Sequence, residues 1–254
     1  AVLENIALGI EPSHPDWSPA GDRILFTHVT VHNTSQRPGR GGLSYVQNDG
    51  AAWSAPQTLI APEDGFNRYY PAYAPDASFL VYCESFCPTN ETYTNTCDGD
   101  ADPSAKVWAL SSEGGTPIAL DNINGPGARD PDDDLTNTYP KWAPFVDARR
   151  RDGSGRVMWF TFSSRRSYGL RQPNGQDQWL WMAAVDPDAI ARGEDGSLRP
   201  FLLPFQDLGT SNHIAQWTAA IVGEPEPDPG GPGDCVPLGG SCGANGNPCC
   251  AGSC

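Results

Sequence analysis

Lysine is nearly missing from this chain: two of its 254 residues, Lys106 and Lys141, against 31 acidic residues and a net charge of −15. So acidic a surface repels phosphate backbones, which argues against nucleic acid as a partner. No stretch approaches the ~18 apolar residues that a membrane-crossing helix needs. Helical periodicity never persists, and 25 Pro with 28 Gly exclude long helices. Histidine occurs four times. His28 and His32 lie four residues apart in an expected strand, about 13 Å, too far to share one metal ion. There is no phosphate loop and no metalloprotease helix. The one G-x-S-x-G match, Gly239 to Gly243, sits in a cysteine-rich tail and not at a strand-to-helix turn, so it is not a nucleophile elbow. These absences leave no catalytic constellation, and the sequence reads as that of a non-enzyme.

What is present is a repeat. His14-Pro15-Asp16-Trp17-Ser18-Pro19, Tyr70-Pro71-Ala72-Tyr73-Ala74-Pro75 and Tyr139-Pro140-Lys141-Trp142-Ala143-Pro144 share one pattern. We align His213-Ile214-Ala215-Gln216-Trp217-Thr218 as a fourth copy, with His213 in the place of His14, Tyr70 and Tyr139. Repeats of several tens of residues mark solenoids or propellers, because one unit cannot bury its own apolar face. Short apolar runs rich in aromatic and β-branched residues follow each copy: Arg23–Thr27, Phe79–Tyr82 and Arg156–Phe162. They read as buried strands. A third strand is expected at Leu43–Val46, Lys106–Leu110 and Trp179–Val185, and a fourth at Gln57–Ile60, Pro117–Leu120 and Phe201–Phe205. Four antiparallel strands per unit, joined by Gly, Pro and Asp turns, make the blade of an all-β propeller.

Trp17-Ser18-Pro19-Ala20-Gly21-Asp22-Arg23-Ile24-Leu25-Phe26-Thr27 resembles the repeat of TolB-like propellers, the PD40 type of WD40-like repeat. Tyr139–Pro144 and Val157–Leu170 resemble it as well, and the likeness covers roughly residues 1–222. The second and third copies depart from it: Ala74 and Ala143 replace Ser, and Asp76-Ala77 lacks the turn Gly. The resemblance implies fold more than function, since such propellers serve as scaffolds, gates and binding platforms. Asn5–Leu8 matches a closing strand and His213–Thr218 an opening one. The chain therefore reads as three complete blades plus partial ones, the C-terminal part of a larger propeller.

The domain reading is a propeller over 1–222, a Pro- and acid-rich spacer over 223–234 and a small disulfide-rich module over 235–254. The spacing of Cys235, Cys242, Cys249, Cys250 and Cys254 resembles that of cystine-knot miniproteins. That resemblance implies Cys235–Cys250 and Cys242–Cys254 bridges, with a sixth cysteine beyond the sequence. The adjacent Cys pair and the lack of nearby His favour disulfides over zinc. In the body, Cys87–Cys97 or Cys83–Cys97 would staple an insertion, and Cys83 also reads as a buried free thiol. Disulfides imply an extracytoplasmic setting: periplasm, cell surface or medium. On that reading an export signal lies upstream or has been removed.

Asp98, Asp100 and Asp102 alternate as in the first half of a Ca²⁺ loop, although Ala109 stands where an EF-hand needs Glu. Asp130, Asp132, Asp133 and Asp134 form a second acidic run, so Ca²⁺ is the expected cofactor, with solvated loops as the alternative. His14, Tyr70, Tyr139 and His213 are expected to meet at the channel mouth as a ligand or partner surface. Trp17, Tyr73, Trp142 and Trp217 are expected to pack between blades. Arg165 and Arg166 suggest either a docking patch for an acidic partner or internal salt bridges. The functional expectation is an exported, non-enzymatic scaffold that binds protein partners in the envelope or outside the cell. The alternatives are a carbohydrate-binding propeller and the propeller domain of a secreted hydrolase or peptidase.

Overall fold

The computed structural model describes residues 9–31, 37–87, 99–125, 135–148 and 155–218. They form twelve strands. β1 (Glu11–Trp17), β2 (Arg23–Val29), β3 (Gly42–Gln47) and β4 (Gln57–Ile60) make one sheet. β5 (Gly65–Tyr73), β6 (Phe79–Cys87), β7 (Lys106–Ser111) and β8 (Ile118–Ala119) make the second. β9 (Thr138–Ala148), β10 (Arg156–Ser164), β11 (Trp179–Val185) and β12 (Phe201–Leu202) make the third. Each is a four-stranded antiparallel meander with its strands in chain order, as propeller blades require. The expected second, third and fourth strands all fall on observed ones. Two one-turn helices, α1 (Asp121–Asn124) and α2 (Pro187–Ala191), were not expected. α2 starts where the Asp186 carboxylate accepts the Asp188 and Ala189 amides, with Pro187 leading its first turn.

Side-chain alternation along β6 explains how the blades stack. Leu80 and Tyr82 face the first sheet, packing with Leu25, Leu43, Tyr45 and Leu110. Phe79 and Val81 face the third, packing with Phe160, Phe162, Trp179 and Ala183. A period-two strand covered on both faces reads as a continuous apolar run. Each fully buried ring or aliphatic side chain contributes about 1.5–3 kcal/mol. Buried polar clamps join the same seams. Asn67 accepts the Gly41 amide at 2.8 Å and donates to the Pro38 carbonyl at 2.6 Å. Gly41 is required there, because a Cβ would lie 2.3 Å from the Arg68 carbonyl oxygen.

The inner-edge strands β1, β5 and β9 lie side by side. Each carries a bulge at an aromatic-proline pair. The register breaks between Ser13 and Asp16, between Tyr69 and Ala72, and between the partners of Thr138 and Lys141. Proline has no N–H to give the ladder, so a bulge is where a strand tolerates it. The residue before each proline takes a left-handed backbone: φ is 49° at His14, 50° at Tyr70 and 54° at Tyr139. The fourth copy corrects our alignment. Ile214, not His213, has φ of 51° and stands three residues before Trp217.

The recurring aromatic seals the seams through its polar handle. Trp142 Nε1 donates to the Ala72 carbonyl at 3.2 Å, and Trp217 Nε1 donates to the Lys141 carbonyl at 3.0 Å. Both acceptors stand one residue before the aromatic of the preceding copy. In the first seam the Asp16 carboxylate takes that role, accepting the Tyr73 amide at 2.7 Å. Trp17 departs from the packing expectation. It is 51 % exposed and meets Trp53 of its own blade edge-on, because no preceding blade covers it among the described residues.

The chain divides between Thr218 and Ala219. The expected spacer and cystine module, with Cys235, Cys242, Cys249, Cys250 and Cys254, lie outside the described residues. So do Asn5–Leu8, His32, Cys97, Asp98 and Asp130–Asp134.

Candidate functional site

The bulges turn one ring from each of the first three copies onto the inner edge, where the rings form a ladder. His14 meets Tyr70 edge-on at 4.4 Å between centroids, and Tyr70 stacks on Tyr139 at 4.2 Å. Tyr139 meets His213 edge-on at 6.3 Å. The expected four residues are thus neighbours in a row, three of them on the adjacent strands β1, β5 and β9; His213 lies in a segment that forms no strand, so the opening strand expected at His213–Thr218 is not observed. His213 joins from one position before its repeat equivalent. Ile214 packs beside Tyr69, Tyr70 and Tyr139.

Hydrogen bonds run along the same row. The Tyr70 hydroxyl donates to the Tyr139 hydroxyl at 3.0 Å, which donates to the Asp100 carboxylate at 3.1 Å. His213 Nδ1 lies 3.8 Å and Arg37 3.9 Å from the same carboxylate. Burial, then the neighbouring Tyr139, push the Tyr70 phenol far above its ordinary range, so it stays protonated. Burial, helped by the Lys141 charge, lowers His14 to about 4, so its imidazole is neutral at pH 7. Three non-glycine residues held in left-handed backbone each cost on the order of 1–3 kcal/mol, a strain that the surrounding ring packing sustains.

Beyond the ladder, the same repeat builds a cleft of about 320 Å³. Asp16, Trp17 and Pro19 come from the first copy, Ala72, Tyr73 and Pro75 from the second, and Lys141, Trp142 and Pro144 from the third. Its charged residues are Asp16 and Lys141. Burial raises the pKa of Asp16 above the usual carboxyl value, against the opposing pull of the Tyr73 amide and of Lys141. Sequence reasoning did not single out Asp16 or Lys141. The signal was there: the position before each aromatic carries a charge in these two copies, and Ala72 and Gln216 in the others.

The acidic pair Asp100 and Asp102 does not converge. Asp100 serves the ladder. Asp102 is buried, and one of its oxygens accepts the Ser104 amide and hydroxyl. Among the described residues no group of three possible metal ligands gathers. Cys87 is disulfide-bonded, with its partner outside the described residues. Cys83 is a free, fully buried thiol, so the Cys83–Cys97 alternative falls. Arg165 donates to the Gly175 carbonyl at 2.9 Å. Arg166 is buried, donates to the Ile123 carbonyl and lies over the Trp181 ring at 5.3 Å.

No family model matches the chain, and no curated protein matches it. The solved structures similar to it include the following two. One is an oligogalacturonate lyase in complex with manganese, at 15 % identity and a TM-score of 0.34, covering 68 % of this chain and 33 % of that one. The other is Zg3597, a family 117 glycoside hydrolase produced by the marine bacterium Zobellia galactanivorans, at 13 % identity and a TM-score of 0.36, covering 70 % and 52 %. The chain thus spans about a third and about half of the structures it matches. Both are enzymes, and this overturns the expectation that the chain is not one. The likeness says nothing about a substrate here. What stands is a propeller-like, all-β fold of three four-stranded antiparallel sheets.

Proposed function

We propose that this chain is the saccharide-binding propeller of an extracytoplasmic carbohydrate-active protein. The observation that carries the reading is the inner-edge cleft. Its volume lies at the low end of the roughly 300–1,000 Å³ typical of small-ligand sites, a size suited to one or two sugar rings. Trp17 is half exposed at its edge, and Trp142 forms part of its wall. Flat indoles suit the apolar face of a pyranose, and a carboxyl and an ammonium suit its hydroxyls. The disulfide at Cys87 supports an oxidising compartment. Kinship to TolB-like repeats belongs to this reading, supported by the aromatic-proline bulge recurring in all three blades.

Glycosidases use two carboxyl groups. Among the described residues lining the cleft Asp16 is the one carboxyl, and its weakened acidity suits a proton donor. The geometry therefore supports binding first, with catalysis resting on Asp16. Glycan-array binding and release of reducing ends by the full chain test both halves. The parent is expected to retain saccharides, Trp17→Ala to lose at least about tenfold in affinity, and Asp16→Asn to bind without releasing reducing ends. A parent chain that retains no saccharide overturns the reading.

A further inference from the structure

We infer that the ligand of the inner-edge cleft is an anionic saccharide, whose carboxylate or sulfate group meets the Lys141 ammonium. The inference rests on the saccharide reading above and specifies its substrate class.

Several cations of this acidic protein are matched by its own carboxylates. Arg23 pairs with Glu113 at 2.7 Å, Arg68 with Glu84 at 2.7 Å, and Arg156 with Asp188 at 2.6 Å. Lys141 is different. Its carbonyl is used by Trp217 and Thr161. Its ammonium makes no ion pair and no hydrogen bond among the described residues. It lines the cleft together with Asp16, whose carboxylate is already engaged by the Tyr73 amide. Lys141 and Asp16 act on each other through their fields but form no contact pair, and an incoming anion supplies that contact to the ammonium. The Lys141 field is felt in the surroundings, acting to lower both His14 and Asp16.

Lysine sets the class and not the shape of the anion. An ammonium is a compact point charge, whereas a guanidinium fork selects planar, bidentate partners. Carboxylate and sulfate therefore share the required chemistry. The net charge of −15 repels an approaching anion at long range. That repulsion is screened beyond about 10 Å at 0.1 M salt, while a contact pair in a cleft is screened much less.

The test is an array of matched neutral, uronate-bearing and sulfated saccharides, probed with the full chain and with Lys141→Met and Lys141→Arg. Thermal melting confirms that the variants fold. Acidic saccharides are expected to bind at least about tenfold better than their neutral counterparts. Lys141→Met is expected to erase that difference and Lys141→Arg to keep it. The uronate and sulfate arms tell which anion is preferred. Equal binding of neutral and acidic saccharides, unchanged in Lys141→Met, overturns the anion inference and leaves the saccharide reading standing. Binding of no saccharide at all overturns both.

Discussion

His14 shows how a repeat position acquires a chemical consequence. Its left-handed backbone and the following Pro15 turn the ring against Tyr70, and Lys141 adds a cation nearby. Burial then holds the imidazole neutral down to about pH 4, well below its ordinary 6.5. The neutral form is the folded form, so this contribution to stability is complete above pH 6.5 and is lost as pH falls towards 4. Solvent reaches part of the ring, which reduces the loss to about 1–2 kcal/mol. Asp16 works in the opposite sense, since its raised value favours the protonated folded state as pH falls. Comparing His14→Phe with the parent isolates the imidazole. Urea unfolding at pH 7 and pH 4.5 is expected to show the parent losing about 1–2 kcal/mol more than the variant on acidification. Equal losses would sink this explanation.

Strands β1, β5 and β9 carry the seams between the sheets. Where an indole donates across a seam, as Trp142 does to Ala72, the hydrogen bond joins two blades. Trp142→Phe keeps most of the ring and removes the donor, so unfolding should cost about 1 kcal/mol less, through the bond and its orphaned carbonyl. Trp17→Phe has no such bond across a seam among the described residues and should leave the urea midpoint within about 0.5 kcal/mol. A similar loss in both variants would contradict the seam argument. The strands themselves could be read from sequence, because Arg23–Thr27, Phe79–Tyr82 and Arg156–Phe162 are short runs rich in aromatic and β-branched residues. The bulges could not. Nothing in residue type announces a left-handed φ at Tyr70 or Tyr139, and the one-residue slip at His213 followed from aligning by ring type instead of counting back from Trp217. The exposure of Trp17 was hidden for a related reason: the repeat fixes the ring, while coverage depends on which neighbour stands beside it. α1 and α2 are each a single turn, too short for a periodic signal.

Taken together, three blades place equivalent residues around one inner edge, so a motif that builds the fold also lines its cleft. Two of the four motif copies substitute a charge where the others carry Ala72 or Gln216, and those two charges, Asp16 and Lys141, give the cleft its chemistry. The two described cysteines differ in state: Cys87 is oxidised while Cys83 stays buried and reduced. The acidic surface confines favourable anion contacts to the few places where a cation is left unmatched. The decisive observation is a nitrogen-15 NMR titration of the indole N–H signals with the saccharide that binds best on the array. The signals of Trp17 and Trp142, which line the cleft, should move together as the ligand is added, while those of Trp159 and Trp179 in the third blade stay fixed. Movement of Trp159 and Trp179 with Trp17 and Trp142 unchanged would place the ligand elsewhere and refute the cleft.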